Sequence, residues 1–157
     1  MPNEFTANDI FEMAVKIEQN GAKFYRDAAN KVDGEKHKEF LLELARMEDD
    51  HEVTFTNMQK ELKDMEAFST AFDPFDENAL YLKALADTRV FFEKEQPDSS
   101  LKTILSCAIQ TEKDSISFYL GMKEIIPAKL GQSRIDDIIK EEMKHIRILA
   151  GKLTEYY

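Results

Sequence analysis

Glu18, Glu48 and His51 return 94 positions later in the chain as Glu112, Glu142 and His145. Phe24-Tyr25 and Phe118-Tyr119 repeat at the same offset. A period this long is one helical hairpin used twice, not the short unit of a solenoid. Within each copy the two glutamates are separated by the same interval, and the midpoints fall at the Asp33-Gly34 turn and at Pro127. Residues equidistant from the turn of an antiparallel hairpin stand at one height. Each arm is about 15 residues, so both glutamate pairs sit roughly 20 Å from their turns. Two such hairpins can meet at one level.

The surrounding periodicity is helical almost throughout, with apolar residues alternately three and four positions apart in four long segments. These are expected at about 8–30, 35–64, 99–127 and 133–156. Asn8 and Ser133 are the expected N-caps of the first and last, and the third is expected to start behind Pro97-Asp98-Ser99. Between the second and third lies a stretch of about 65–98, rich in aromatics (Phe68, Phe72, Phe75, Tyr81, Phe91, Phe92), with a short helical pattern from Asn78 to about Glu93. Short loops make the first and second helices antiparallel neighbours, and likewise the third and fourth, while the long stretch joins the pairs. The expected fold is all-α: a four-helix bundle of two antiparallel hairpins joined by a long crossover. With 157 residues, 43% hydrophobic and 33% charged, the chain is expected to form a single domain over 1–157.

Six polar residues interrupt the apolar stripes: Glu18, Glu48, His51, Glu112, Glu142 and His145. In each Glu-x-x-His, three residues turn the helix through about 300°, so both side chains share one face and can ligate one ion. Four carboxylates converging in an apolar bundle repel one another and lose their hydration, at several kcal/mol each. Two divalent cations balance them. Mixed carboxylate and imidazole ligands suit iron or manganese better than the thiolates of structural zinc. One Glu from each of two helices, plus Glu-x-x-His from each of the other two, is the known ligand formula of ferritin-like di-iron proteins.

Over nearly its whole length the chain resembles the rubrerythrin branch of the ferritin-like superfamily. The resemblance rests on Ala14-x3-Glu18-x5-Phe24-Tyr25, Glu48-x2-His51, Ala108-x3-Glu112-x5-Phe118-Tyr119 and Glu142-x2-His145. It implies two Fe ions cycling between Fe2+ and Fe3+, with manganese an alternative. Glu48 and Glu142 would bridge them, Glu18 and Glu112 would be terminal ligands, and His51 and His145 would each cap one metal. It also implies that Tyr25 and Tyr119 can hydrogen-bond a ligand carboxylate. Rubrerythrins usually carry a further carboxylate one turn after the third-helix glutamate, where this chain has Ser115. The remaining four-Glu, two-His set also resembles the bacterioferritin ferroxidase centre. The implied activity is reduction of hydrogen peroxide, with ferroxidase or iron-handling chemistry on dioxygen or peroxide as the alternative. A redox-silent, metal-stabilised bundle is the third reading.

Other residues read more plainly. Cys107 is the single cysteine, expected as a small buried hydrophobe, and it cannot supply the four thiolates of a rubredoxin-like domain. Electrons are therefore expected from an external donor protein, rubredoxin-like or a flavoprotein. His37 lies among charged residues and is read as solvated. Asp49 and Glu141 point about 100° away from the neighbouring ligands and are read as surface charges or hydrogen-bond partners. A net charge of −10 opposes binding to nucleic acid and anionic membranes. No export signal or membrane span is legible, so a cytoplasmic protein is expected. The aromatic crossover hints at a homodimer, or else covers the bundle itself.

Overall fold

The computed structural model describes residues 5–87 and 100–157. Among these the chain forms α1 (Ala7–Ala29), α2 (Glu35–Leu62), α3 (Glu66–Ser69), α4 (Glu77–Asp87), α5 (Leu101–Ile125) and α6 (Gln132–Leu153), with single 3-10 turns at Ala128–Leu130 and Thr154–Tyr156. The described residues contain no strand, only an isolated bridge between Thr6 and Ala71. This is the expected all-α bundle of ferritin-like type, with α1, α2, α5 and α6 as its long helices.

Two helix starts differ from expectation. Thr6, not Asn8, caps α1: the Thr6 N–H donates to Asp9 Oδ2 at 2.8 Å, and the Asp9 N–H donates to Thr6 Oγ1 at 3.3 Å. That reciprocal box satisfies two donors at once, which a lone Asn cannot. Asn8 lies inside the first turn and donates to Glu12 instead. Ser133 likewise lies inside α6, whose cap is Gly131 at φ 95°. This left-handed backbone favours glycine, and a Cβ there would stand 2.5 Å from Met58 Cε on α2. Ser100 caps α5; the Pro97-Asp98-Ser99 start lies outside the described residues.

α1 packs most extensively on α2, and α5 on α6. The interior is two apolar layers along the bundle axis. One gathers Ile10, Phe11 and Ile17 of α1, Phe55 and Met58 of α2, Phe118 and Met122 of α5, and Ile135 and Ile138 of α6. The other gathers Phe24 and Ala28, Leu41 and Leu44, Leu105 and Ala108, and Leu149 from the same four helices. α1 and α6 therefore run from the first layer to the second, while α2 and α5 run back. The parallel course of α2 and α5 requires the chain between them to travel the length of the bundle, so the crossover is long.

The described part of the crossover clothes the bundle. Phe68 is buried against Phe11, with ring centroids 5.6 Å apart. Phe72 packs edge-on to Phe5 at 6.1 Å. On α4, Leu82 is buried, and the Tyr81 hydroxyl donates to the Ser117 carbonyl on α5 at 3.0 Å. Phe75 is 86% exposed. Phe91, Phe92 and the end of the expected short helix at Glu93 lie outside the described residues. No described helix is long and apolar enough to cross a membrane.

Candidate metal centre

On every long helix the switch from one apolar layer to the other falls at the interrupting polar residues: Glu18 on α1, Glu48 and His51 on α2, Glu112 on α5, Glu142 and His145 on α6. The equal arms of the two hairpins bring all six to one level, each at most 3% exposed. They form two overlapping groups. Glu18, Glu48, His51 and Glu142 each offer one ligand atom within 4.8 Å of the others, and so do Glu48, Glu112, Glu142 and His145. Glu48 and Glu142 belong to both.

The histidines enter ring beside ring, with centroids 5.5 Å apart and planes inclined by 15°. His51 Nδ1 lies 2.9 Å from Glu142 Oε1 and 3.5 Å from both Glu18 Oε2 and Glu48 Oε2. His145 Nδ1 lies 3.2 Å from Glu142 Oε2 and 3.6 Å from Glu48 Oε1 and Glu112 Oε1. In both rings it is Nδ1 that faces the buried glutamates.

The tyrosines serve the opposite hairpin. Tyr25 Oη donates to Glu112 Oε1 at 2.6 Å, and Tyr119 Oη donates to Glu18 Oε1 at 2.5 Å. Burial, then the charge of Glu112 or Glu18, pushes each phenol well above its usual value, so both remain protonated donors.

Without a cation the carboxylates strain against one another. Burial, then repulsion from Glu112 and the other carboxylates, raises Glu48 and Glu142 well above the ordinary glutamate range. Burial acts in the same sense on Glu112, but its interactions with Glu142, His145 and Glu48 prevail and hold it at about 2. Burial alone would lower the histidines. Bonds to Glu142, Glu18 and Glu48 carry His51 strongly upward, and Glu112, Glu142 and Glu48 carry His145 to about 12. The site borrows protons to offset its negative charge. Glu142 Oε2 and His145 Nδ1 are nonetheless buried without a hydrogen-bond partner, although they face each other at 3.2 Å. A cation beside that pair would satisfy both atoms, so the residues fit a metal pair.

Residues outside the six sort differently. Asp49 pairs with Arg26 at the surface. Glu141 is exposed and is one of the expected hydrogen-bond partners: its Oε2 lies 2.5 Å from His51 Nε2, on the facing helix. Ser115 is buried and donates to the Thr111 carbonyl at 3.1 Å. Cys107 is half-buried rather than fully buried, because it packs at the edge of the second apolar layer. His37 is also half-buried rather than solvated, with its Nδ1 unpartnered and its ring against the Gly34 turn.

The sequence model of the family described as Rubrerythrin matches residues 9–95, more than half of the chain. The chain belongs to the rubrerythrin family. The match spans Glu18, Glu48 and His51, while the second half of the centre is recognised through the duplication. A crystal structure of a ferritin-like diiron-carboxylate protein from Thermotoga maritima is similar over 100% of both chains, at 26% identity and a TM-score of 0.69. No curated protein matches. Family, fold and the buried Glu/His cluster together make this rubrerythrin-family chain a di-iron protein.

Proposed function

We propose that Glu18 and His51 hold one iron, Glu112 and His145 hold the other, and Glu48 and Glu142 bridge them, in a centre that reduces hydrogen peroxide to water. The observation that carries this reading is the pair of four-ligand groups sharing two carboxylates. When bound, a ferrous pair supplies the two electrons that cleave the O–O bond of peroxide. Two protons are consumed with them, and a separate donor protein restores the electrons.

The chain's own residues set the conditions for that chemistry. Tyr25 and Tyr119 hold Glu112 and Glu18 by one oxygen each, and Glu18 is left with its Oε2 facing His51 Nδ1. The apolar layers on either side exclude bulk water from the reacting level. Ser115 has its hydroxyl turned to its own helix backbone and adds no ligand.

The same Ser115 favours a second reading, ferroxidase chemistry, because it leaves a four-Glu, two-His set. Anaerobic loading with Fe(II), then stopped-flow mixing with hydrogen peroxide or dioxygen, separates the two. Peroxide reduction predicts two irons per chain, much faster oxidation by peroxide, and iron that stays bound and can be reduced again. Equal reactivity with dioxygen and Fe(III) accumulating beyond two per chain would establish the ferroxidase. A centre silent to both oxidants would leave only a structural role for the metal.

A further inference from the structure

The duplication breaks behind His51. His51 Nε2 meets the Glu141 carboxylate at 2.5 Å, reaching from α2 to the flank of α6, and the Glu141 side chain is otherwise 59% exposed. The equivalent residue on α2, 94 positions earlier, is Met47, whose thioether is only a weak acceptor. Among the described residues, every ion-pair contact of His145 is made by Nδ1 and none by Nε2. Among the described residues, one imidazole therefore has a carboxylate behind it, and the other has none.

A neutral imidazole carries one proton. For Nδ1 to offer its lone pair to a metal held with Glu18, Glu48 and Glu142, that proton must reside on Nε2 and needs an acceptor, since His51 is only 3% exposed. Glu141 is placed to accept it. This contact selects the ligating tautomer, fixes the ring's orientation and raises the basicity of Nδ1.

We infer that Glu141 is a positioning residue for His51 and that it makes the two metal positions unequal, the one capped by His51 binding more tightly than the one capped by His145. The inference rests on the di-iron reading and assigns Glu141 no contact with metal or oxidant. Because Glu141 is largely exposed, its replacement leaves the buried layers intact.

The test is anaerobic calorimetric titration of the metal-free full chain with Fe(II), in the wild type, Glu141→Ala and Glu141→Gln. Glu141→Ala is expected to weaken one equivalent about 10–100-fold and to spare the other. Glu141→Gln, whose amide oxygen still accepts from Nε2–H, is expected to recover most of the loss. In the Zn(II)-loaded protein, nitrogen-15 NMR is expected to show a slowly exchanging Nε2–H on His51 alone, retained in Glu141→Gln and lost in Glu141→Ala. Equal weakening of both equivalents, no weakening of either, or equal protection of both imidazoles overturns the inference while leaving the di-iron reading standing. A wild type that binds fewer than two irons overturns both.

Discussion

Tyr25 on α1 donates to Glu112 on α5 at 2.6 Å, crossing from one hairpin to the other, and its duplicate Tyr119 returns the bond to Glu18 at 2.5 Å. The exchange couples α1 to α5, which are neither sequence neighbours nor members of one hairpin. It also fixes the rotamers of two glutamates at the centre. Both phenols are fully buried, so neither carboxylate oxygen can turn to water if its donor is removed.

Tyr25→Phe and Tyr119→Phe each keep the ring and delete the donor. Each is expected to cost about 1–3 kcal/mol, the range for a buried polar group left without its partner. The loss should appear in metal-free protein as a lower urea midpoint at unchanged m-value. A change below about 0.5 kcal/mol would show that the hydroxyl contributes nothing to holding the hairpins together.

Glu48 belongs to both ligand groups, and its effect on stability should change sign with metal. In the metal-free protein its buried carboxyl is pushed upward by burial and by Glu112, Glu142 and Glu18, so Glu48→Gln replaces a group already reluctant to ionise. That variant is expected to be at least as stable as wild type when metal is chelated. With Fe(II) added, wild type should gain melting temperature while Glu48→Gln gains little and retains fewer than two irons per chain. Iron analysis beside thermal melts in both states checks this.

The six polar residues were legible because a glutamate or histidine on an apolar stripe is costly, and the spacing exposes it at once. The level at which they meet was also legible, since equal hairpin arms dictate it. The partners of Tyr25 and Tyr119 were not: each tyrosine shares a face with its own hairpin's glutamate, and only the packing of α1 on α5 decides which carboxylate it reaches. Glu141 shows the limit of a helical wheel. Its rotation from Glu142 leaves it either a surface charge or a hydrogen-bond partner, and only the packing of α2 against that flank of α6 names His51 as the partner. Ser133 yielded to Gly131 because the close approach of Met58 and a positive φ outweigh a side-chain cap.

Two helical glycines should respond oppositely to alanine. A Cβ at Gly21 would lie 3.6 Å from the Glu48 side chain, an ordinary contact, so the helix-propensity gain of about 0.5–1 kcal/mol should stand. A Cβ at Gly121 would come within 2.7 Å of the Tyr81 ring and 3.0 Å of Leu82. Gly121→Ala should therefore push α4 off α5 and cost about 1–3 kcal/mol. Urea denaturation of the metal-free variants measures both signs.

Stability of the metal-free protein should fall as pH rises through neutrality, and metal should reverse that trend. Glu48 and Glu142 are raised in the folded state above their ordinary value of 4.5, so the stability they lend is complete below it and declines as pH climbs. His145, raised from 6.5 to about 12, lends stability that is complete below 6.5 and is lost as pH rises toward 12; His51 shifts in the same direction. Glu112 acts oppositely: lowered to about 2, it lends stability present above 4.5 and lost as pH falls toward 2. The chelated protein should thus be most stable near about pH 4.5, lose stability as Glu48 and Glu142 ionise above it, and lose more steeply above about pH 6.5. Metal binding needs free carboxylates and neutral imidazoles, so the melting-temperature gain on adding Fe(II) anaerobically should grow from pH 5 to pH 8. A gain independent of pH would mean that Glu48, Glu142, His51 and His145 release no protons when metal binds.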